Sequence, residues 1–484
     1  MAYKTGNRTQ MCLLPQSIEE YVACDAPVRA YDEFVEALNF AELGIEINPY
    51  KVGNSAYHPK SMLKLLLYGY SYGVRSSRKL EQETHNNLTF IWLMGGLKPD
   101  FKTIAEFRRT HRQSLTKVLK QCARVCVKLN LIAGNVLFAD GTKIRANAGR
   151  DQTHNKDWYD QQLAKVDHRI EYLLEQCEAQ DQSEDGLESF VAMDKQLGQA
   201  KRLKQKIQTA LKEIESSDKD KANMTDPDCS IMRSIQGSHA SYNVQAVVDD
   251  KHGLLVNTEP VNAPNDCNQF AKQIDAANHV LEKPCEIACA DAGYADTDEL
   301  EKIDSKNIKV IVPSQRQALH KQENPFSKSH FIYDKEQDCY ICPKGHRLNY
   351  RSTYRKNGKR TYKIEKAGLC RNCPHFGQCT RSKEGRKLVR LKKEEVKQRL
   401  EAQYQEPASK EIYVRRKEKV EHPFGHIKRN LKVSAFLMRG LKGVHAEISL
   451  LGTCFNIARM ITLLGRVQLI SQLKIVSIPD TVKK

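Results

Sequence analysis

The sequence predicts an α/β protein whose mixed sheet is flanked by helices and preceded by an all-α segment. Two stretches, 135–149 and 239–261, show the two-residue period of strands. After them, a helix at 266–282, the strand CEIACADAGY, a helix at 296–304 and the strand KVIVP follow in turn. Because strands that alternate with helices are typical of parallel sheets, the prediction combines parallel strands with antiparallel ones.

Length and composition argue against several classes of protein. The chain has 484 residues, more than one typical domain, with 40% hydrophobic and 28% charged residues, so a wholly disordered, fibrous or membrane protein is not expected. The N-terminal sequence lacks the apolar core of a signal peptide, and we expect a reducing, cytoplasmic setting for the 15 cysteines. The apolar stretch 447–465 contains Glu447, Asn456 and Arg459 and is expected to be a packed helix.

Positive charge is concentrated in one segment. The formal net charge is +18, and residues 341–440 alone hold 28 Lys and Arg against 9 Asp and Glu. A localised positive field is typical of a protein with a polyanionic partner, most often nucleic acid. The alternative is a solvated basic face that keeps the protein soluble.

Residues 58–128 are predicted to form short helices joined by turns. Thr103, followed by Glu106 three residues later, is the expected N-cap of one of them. Four arginines are expected to be exposed here: Arg75, Arg78, Arg108 and Arg109. Such a segment fits a small helical DNA-binding module, and a plain helical bundle explains it equally well.

A polar helical hairpin is predicted between the strand-like stretches. Apolar residues recur at intervals of three and four on both sides of AQDQSEDG, as two facing helices require. The two seams are Leu163, Val166, Ile170, Leu173, Cys177 and Ala200, Leu203, Ile207, Ala210, Ile214. We expect an insertion without catalytic residues.

Two aspartates are expected at the ends of apolar strands. Asp140 closes VLFAD, with Asp140-Gly141 as a turn, and Asp291 closes IACAD among small residues that would let a bulky ligand approach. A third carboxylate, Glu421, lies in the basic stretch EIYVRRKEKVEHPFGHIKRNLKV. Lys428 follows seven residues later, which would place it on the same helix face.

Three carboxylates of this kind suit divalent metal chemistry on a phosphodiester. Mg²⁺ prefers oxygen ligands, and two ions about 3.5–4 Å apart can clamp the attacking and leaving oxygens. The basic side chains around Glu421 would hold the phosphate. A solvated ion-pair cluster is the alternative interpretation of that stretch.

The ordered motifs resemble a known family. They are FADGTKIRANA, TDPDCSIM, SYNVQAVVD, ACADAGYAD and VEHPFGHIKRNL, preceded by PKSMLKLLLYGY and KPDFKTIAEFRR. Over about residues 50–465 the chain resembles bacterial insertion-sequence transposases of the DDE class. The resemblance implies a helical N-terminal domain, an RNase H-like catalytic domain, DNA transposition and recombination, and Mg²⁺ or Mn²⁺ as the catalytic metal.

Functional residues follow from this resemblance. Asp140, Asp291 and Glu421 would be the catalytic, metal-binding triad. The family pattern Tyr-x2-Arg-x3-Glu-x6-Lys is matched except that four residues precede the Glu, so either Arg416 or Lys417 would face the phosphate. The residues expected to contact DNA are Tyr413, Arg416, Lys417, Lys428, Arg108 and Arg109. Other acidic residues are expected to be structural or to lie behind the triad: Asp249, Asp250, Asp296 and Glu418.

A cysteine cluster predicts a structural Zn²⁺ site. The pairs Cys339-x2-Cys342 and Cys370-x2-Cys373 would supply four thiolates for tetrahedral zinc, and the related transposases often carry a Cys-rich insertion here. One thiolate could be replaced by Cys379, His346 or His375. Unligated cysteines are the alternative. The remaining singled-out cysteines are expected in the core: Cys122, Cys126, Cys177, Cys285, Cys289 and Cys454.

These observations predict a domain division and a set of partners. A helical DNA-binding domain (1–130) precedes a catalytic domain (131–466), which is interrupted by the hairpin (151–225) and the zinc-ribbon-like segment (326–385) and followed by a tail (467–484). The expected partners are double-stranded DNA, as terminal inverted repeats and target, and a second copy that pairs the two ends; no membrane is expected. The alternative function is a zinc-containing DNA-binding protein without catalysis, such as a domesticated regulator.

Overall fold

A computed structural model of the chain describes residues 17–48, 56–181, 187–217, 219–234, 237–319, 325–354 and 358–476. It divides into two compact units: a first unit up to Glu286 and again from Arg415, and a second unit, Ile287–Val414. The predicted α/β class is confirmed. The expectations for residues 1–16 and 477–484 lie outside the described residues.

Helices occupy most of the chain. In chain order they are α1 (Pro27–Glu36), α2 (Phe40–Leu43), α3 (Pro59–Ser71), α4 (Ser77–Asn86), α5 (Leu88–Leu93), α6 (Phe101–Thr110), α7 (Arg112–Leu115), α8 (Val118–Lys128), α9 (Lys156–Asp181), α10 (Leu187–Ser216), α11 (Phe270–Leu281), α12 (Thr297–Asp304), α13 (Gln315–Ala318), α14 (Ala367–Arg371), α15 (Glu394–Gln405), α16 (Pro407–Gly425), α17 (Leu441–Leu464) and α18 (Arg466–Val476).

The strands fall into two groups along the chain. The first unit contains β1 (Val136–Arg145), β2 (Thr153–Asn155), β3 (Lys221–Asn223), β4 (Ser230–Ser234), β5 (Gly237–Asp249) and β6 (Leu255–Val261). The second contains β7 (Ile287–Cys289), β8 (Lys309–Ile311), β9 (Ile332–Asp334), β10 (Cys339–Ile341), β11 (Arg347–Thr353), β12 (Arg360–Ile364) and β13 (Lys387–Arg390).

The central strand of the first unit is β5, which pairs antiparallel with β1, β4 and β6. Strand β1 does not end at Asp140, because the register Asp140↔Ala246, Gly141↔Gln245 and onward to Arg145↔Ser241 keeps the backbone extended. The predicted turn at Asp140-Gly141 is therefore wrong. Asp140 lies inside a ten-residue strand.

Helix α17 passes through the core of the first unit, where it contacts α3, α8 and β6. A Cβ atom on Gly452 would lie 3.1 Å from Leu119 Cδ2 and 3.3 Å from Leu255 Cδ1, which shows how closely these elements approach. The expected packed helix is confirmed. By length and composition alone it is apolar enough to cross a membrane, yet 67% of its most apolar stretch is buried within the protein.

The predicted helical hairpin is confirmed by α9 and α10. Lys156 pairs with Glu215 and Asp167 with Lys204, so the start of one helix meets the end of the other. The strands β2 and β3 pair at the base of this hairpin. Its core consists of Tyr159, Val166, Ile207, Ala210, Leu211 and Ala222.

In the second unit, β7 and β8 run parallel and are connected through α12, as the alternation of strand and helix predicts. Strands β9–β13 form a separate antiparallel sheet in the order β13-β12-β11-β10-β9. Tyr340, Leu348 and Tyr362 are buried against this sheet. The sheet carries the cysteine-rich segment.

Two local predictions in the N-terminal helices are wrong. Asp100, rather than Thr103, caps α6: the Thr103 N–H donates to Asp100 Oδ1 at 2.6 Å, because the helix already begins at Phe101. Arg75 and Arg108 are not exposed. Arg75 forms an ion pair with the buried Glu447 at 2.7 Å, and Arg108 is 9% exposed.

Candidate functional site

Asp140 lies in the middle of β1, and its carboxylate forms an ion pair with Arg416. The Arg416 Nη1 atom lies 3.6 Å from Asp140 Oδ2, and the two side chains are only 12% and 21% exposed. The neighbouring Lys417 is exposed to solvent. The helix therefore turns Arg416, and not Lys417, toward the carboxylate of Asp140.

Thr142 extends the same face of β1, because side chains two residues apart in a strand point the same way. The Lys428 ammonium donates to Thr142 Oγ1 at 2.6 Å. Desolvation at this position lowers the pKa of Lys428. Asp140 and Thr142 are thus contacted by Arg416 and Lys428, two of the basic residues that the sequence analysis selected. The sequence analysis did not select Thr142, although a residue two positions after Asp140 in a strand is expected on the same face.

Glu421 is exposed on α16, next to the buried Val420. It makes no hydrogen bond or ion pair with any residue that the structure describes. The predicted single helix through both residues is not continuous, because α16 ends at Gly425 and His426–Asn430 form a π-helical turn with i→i+5 hydrogen bonds. A common face for Glu421 and Lys428 stays a prediction.

Asp291 belongs to the second unit and lies two residues after the end of the parallel strand β7. Its Oδ1 accepts a hydrogen bond from Gly293 N at 2.8 Å, which caps the short 3₁₀ turn Ala292–Tyr294. Ala288 and Ala290 are buried beside it. Carboxyl ends of parallel strands are common places for ligand-binding residues, so the predicted strand-end position of Asp291 is confirmed.

The three predicted metal ligands are divided between the two units. Asp140 and Glu421 belong to the first unit and Asp291 to the second. Across the described ranges, no three His, Cys, Asp or Glu side chains are arranged to share one ion. The triad therefore stays a prediction.

Gly141 and Asp266 lie on the opposite face of β1 from the Asp140 side chain. The amides of Asn243 and Gln245 donate to Asp266 Oδ1 at 2.8 and 2.6 Å. A Cβ atom on residue 141 would lie 2.5 Å from that oxygen and 2.7 Å from Gln245 Nε2. Gly141 is required by this close packing and not by a turn. The sequence analysis did not select Asp266. Asn243 and Gln245, two polar residues at alternate positions of an otherwise apolar strand, indicated that a polar partner would lie against them.

The rival carboxylates mostly have structural partners. Asp249 is fully buried and accepts hydrogen bonds from Gly134 N and Lys251 N, and burial raises its pKa. Asp250 forms an ion pair with Arg415 at 2.9 Å. Asp296 caps α12, and Glu418 is exposed.

The other expected DNA contacts lie in different surroundings. Arg109 is exposed and pairs with Glu106 at 2.5 Å. Arg108 is buried instead, with Nη1 donating to Tyr70 Oη at 3.1 Å and to the Arg75 carbonyl at 2.9 Å. Tyr413 packs edge-on against Tyr404, with ring centroids 5.2 Å apart.

Four of the clustered cysteines line one cavity of about 40 Å³ in the second unit: Cys342, Cys370, Cys373 and Cys379, together with His346 and His375. Burial, and then the nearby thiols of Cys370, Cys342 and Cys373, raise the pKa of Cys379, whereas Arg386 lowers it. Backbone N–H groups of His346 and Arg386 each donate to a cysteine sulfur, on Cys342 and Cys370, at 3.4 Å. Such donors stabilise thiolates.

Cys339 does not line this cavity and is 2% exposed within β10. Residues 339 and 342 are three apart in an extended segment, so their side chains point to opposite faces. Tyr340, between them, lies in the core together with the packed Cys342. Among the core predictions, Cys122, Cys126, Cys285, Cys289 and Cys454 are buried as expected, and Cys177 is half-buried.

Comparison with known proteins gives two matches. The model of a family described as Transposase DDE domain matches residues 341–461, and that of a family described as Transposase domain (DUF772) matches residues 16–110. The first match includes Arg416, Glu421 and Lys428, whereas Asp140 and Asp291 lie outside both. No curated protein and no solved structure matches the chain. One transposase family is matched at the N-terminal helices and another at the segment that bears Glu421, and together these matches support an insertion-sequence transposase of the DDE class.

Proposed function

We propose that the chain is a DNA transposase that binds the terminal inverted repeats of an insertion sequence and catalyses metal-dependent phosphodiester cleavage and strand transfer. The main support is the contact of Arg416 with Asp140 beside that of Lys428 with Thr142. A carboxylate that contacts one cationic side chain, with a second cation bound two residues along the same strand face, suits a site that holds both a metal ion and a phosphate. The two transposase family matches agree with this proposal.

In this proposal Asp140, Asp291 and Glu421 hold Mg²⁺ or Mn²⁺, within a catalytic domain of RNase H-like fold. The metal would stabilise charge on the reacting oxygens of the phosphodiester. Arg416 and Lys428 would contact phosphate oxygens, with Tyr413 and Lys417 nearer the approaching DNA. Phosphate contacts of this kind position the duplex without reading its sequence.

The remaining domains have complementary roles in the proposal. Residues 1–130 recognise the inverted repeats, and the hairpin and the cysteine-rich segment are insertions into the catalytic domain 131–466. Two copies of the chain pair the two ends of the element. The protein acts where its DNA is, in the bacterial cytoplasm at the nucleoid.

The catalytic proposal is tested by cutting labelled inverted-repeat DNA, whose sequence is taken from the DNA flanking the gene. We expect wild type to cut and join ends with Mg²⁺ or Mn²⁺. Asp140→Ala, Asp291→Ala and Glu421→Ala should each lose at least about 100-fold in rate, because removing a metal ligand removes several kcal/mol of transition-state stabilisation. Glu418→Ala, an exposed glutamate one turn before Glu421, is the matched control and should keep wild-type activity.

Equal activity of the triad variants and wild type would show that the metal ligands are wrongly assigned. If wild type binds the ends but cuts with neither metal, the alternative of a non-catalytic zinc-containing DNA-binding protein is correct. Cutting without joined products would indicate a nuclease.

We also propose that the second unit holds a structural Zn²⁺ through Cys342, Cys370, Cys373 and Cys379. Support comes from their shared cavity and from the N–H donors to two of the sulfurs. Four thiolates suit tetrahedral zinc. Zinc binding would have to draw these sulfurs together, because no three metal-binding side chains in the described ranges are already arranged around one point. Cys379 replaces Cys339 in this ligand set, since Cys339 lies outside the cavity.

Metal analysis of purified variants tests the ligand set. Cys342→Ser and Cys379→Ser should lose the single bound zinc, whereas Cys339→Ser, the control in the same segment, should retain it. Loss of zinc should unfold the 339–379 segment, seen by limited proteolysis. A zinc content unaffected by Cys379→Ser would contradict the assignment.

A further inference from the structure

A cleft of about 220 Å³ in the first unit is lined largely by arginines. It lies between the end of α6 with α7 and the segment before α17, and its described lining contains no acidic side chain. The lining residues are Ala105, Arg108, Arg109, Arg112, Leu437, Met438 and Arg439. Side chains brought together from positions more than 300 residues apart form one cationic surface.

The floor of this cleft is held by buried hydrogen bonds. Arg108 donates to neutral acceptors, Tyr70 Oη and the Arg75 carbonyl. The backbone N–H groups of Leu437 and Met438 both donate to Glu447 Oε2 at 2.9 Å. Glu447 also pairs with Arg75 at 2.7 Å, whereas the buried Arg108 forms no ion pair with any residue that the structure describes.

The rim of the cleft presents two oriented guanidinium groups. Arg112 Nε donates to the Arg109 carbonyl, and Arg439 Nε donates to the Asn147 carbonyl, each at 3.0 Å. Their Nη groups form no hydrogen bond or ion pair with any residue in the part of the chain that the structure describes. The nearby Asp226 is 1% exposed, and its Oδ1 accepts from Tyr242 and Gly440 N.

We propose that this cleft binds one backbone phosphate of DNA through Arg112 and Arg439. A guanidinium fixed at Nε offers its two Nη groups to a phosphate in a bidentate manner. No aromatic side chain lines the cleft to stack a base, so the contact would position the duplex and not read its sequence. This inference rests on the proposed function only in taking DNA as the partner, and it assigns Arg108 to support and not to contact.

Binding of the full chain to fluorescent duplexes, measured without divalent metal over a range of salt concentrations, tests the cleft. Arg112→Gln/Arg439→Gln should weaken binding equally for inverted-repeat and unrelated sequences. The slope of log affinity against log salt should fall by about 0.9 for one lost phosphate contact. Arg112→Lys/Arg439→Lys should keep the slope but bind more weakly, because Lys is a point charge without the fork geometry.

Lys201→Gln/Arg202→Gln removes two exposed charges from α10 and is the matched control, with an unchanged slope expected. A slope that the arginine variant leaves unchanged, or a loss confined to one sequence, would overturn the cleft proposal. If the double variant has a lower melting temperature than wild type, the single variant Arg439→Gln is used instead, because Arg439 is exposed. The cleft proposal then requires that this variant lowers the salt slope.

Two further results separate the possible explanations. Competition by millimolar inorganic phosphate that abolishes the difference between wild type and variant would point to free phosphate and overturn the DNA assignment. If wild type itself binds no DNA, the proposed function fails. If wild type and Arg112→Gln/Arg439→Gln bind DNA with the same affinity and salt dependence, the cleft proposal fails and the proposed function stands.

Discussion

Gly141 occupies a position where the added Cβ of any other residue would collide with its neighbours. Asp266 Oδ1 is held against it by the Asn243 and Gln245 amides. The sequence pattern Asp-Gly is typical of turns, yet here it serves a strand that packs tightly on one face and carries Asp140 on the other. A turn propensity is local, and the packing that overrides it involves a residue 125 positions later.

Gly141→Ala should therefore destabilise the protein. A Cβ 2.5 Å from Asp266 Oδ1 forces a shift of the strand or of the Asp266 carboxylate, at a cost of about 1–3 kcal/mol in free energy of unfolding. Urea denaturation measures this difference. Gly198→Ala in α10, where a Cβ meets nothing within 4 Å, is the control and should be neutral or stabilising by up to about 1 kcal/mol. Equal effects at the two positions would show that crowding at residue 141 is unimportant.

Arg416 and Lys417 are adjacent basic residues that the sequence alone cannot rank. The structure separates them, since Arg416 lies within 3.6 Å of Asp140 and Lys417 is exposed. The directions of the Arg416 and Lys417 side chains depend on which face of α16 is buried. The elements packed against α16 determine which face that is.

Arg416→Gln should slow DNA cleavage by about 10–100-fold, because hydrogen bonds from a charged group contribute about 1.5–3 kcal/mol. Lys417→Gln should change the rate by less than about threefold. Rates of single-turnover cleavage measure both. The assignment of Arg416 would be refuted if Lys417→Gln had the larger effect.

At the scale of elements, the π-helical turn His426–Asn430 is a feature that a regular 3.6-residue period does not predict. Sequence spacing predicts one continuous helix through Lys428, whereas the structure changes hydrogen-bond pattern after Gly425. On this stretch His422 and His426 pack edge-on against Phe455, with centroids 5.3 and 5.4 Å away. Burial lowers the pKa of both histidines; Arg459 and Lys419 lower that of His422 further, and Glu418 opposes them.

Stability should consequently fall as the pH drops from about 7 to 5.5. The folded pKa values lie below the unfolded ones, so the unfolded chain takes up protons first and the free energy of unfolding decreases. The half-buried His426 should contribute more than His422, whose exposed side chain is screened by solvent. His422→Gln/His426→Gln should flatten this decrease in urea titrations at several pH values. His85→Gln, at an exposed position of α4, is the control. An equally steep decrease in the double variant would contradict the explanation.

The helical hairpin was predicted almost residue by residue, because both of its seams lie within a continuous stretch of sequence. Ile207→Ala should cost about 2–4 kcal/mol of local stability, since Ile207 is 1% exposed in the hairpin core. Leu203→Ala, at a position 38% exposed in the same helix, should cost much less. Hydrogen exchange of α9 and α10 amides measures both, and similar exchange rates in the two variants would contradict the packing.

For the whole molecule, the excess positive charge of residues 341–440 should govern the salt dependence of DNA binding. Lys344→Gln/Arg371→Gln/Lys383→Gln removes three exposed charges from this segment and should lower the slope of log affinity against log salt by about 1–3. Lys201→Gln/Arg202→Gln/Lys206→Gln removes the same charge from α10 and should leave the slope near the wild-type value. Equal slopes for the two variants would assign the segment to solubility and not to DNA.

The sequence by itself determined the α/β class, the hairpin, the charged segment and the resemblance to transposases, because each depends on spacing or composition along the chain. Only the tertiary structure decided that Gly141 serves packing, that Arg108 is buried, that Arg416 meets Asp140 and that Cys379 joins the cysteine-lined cavity in place of Cys339. These facts depend on contacts between residues far apart in sequence, such as Lys428 with Thr142. Local periodicity predicts which residues form an element, whereas the packing of distant elements selects the side chains that meet.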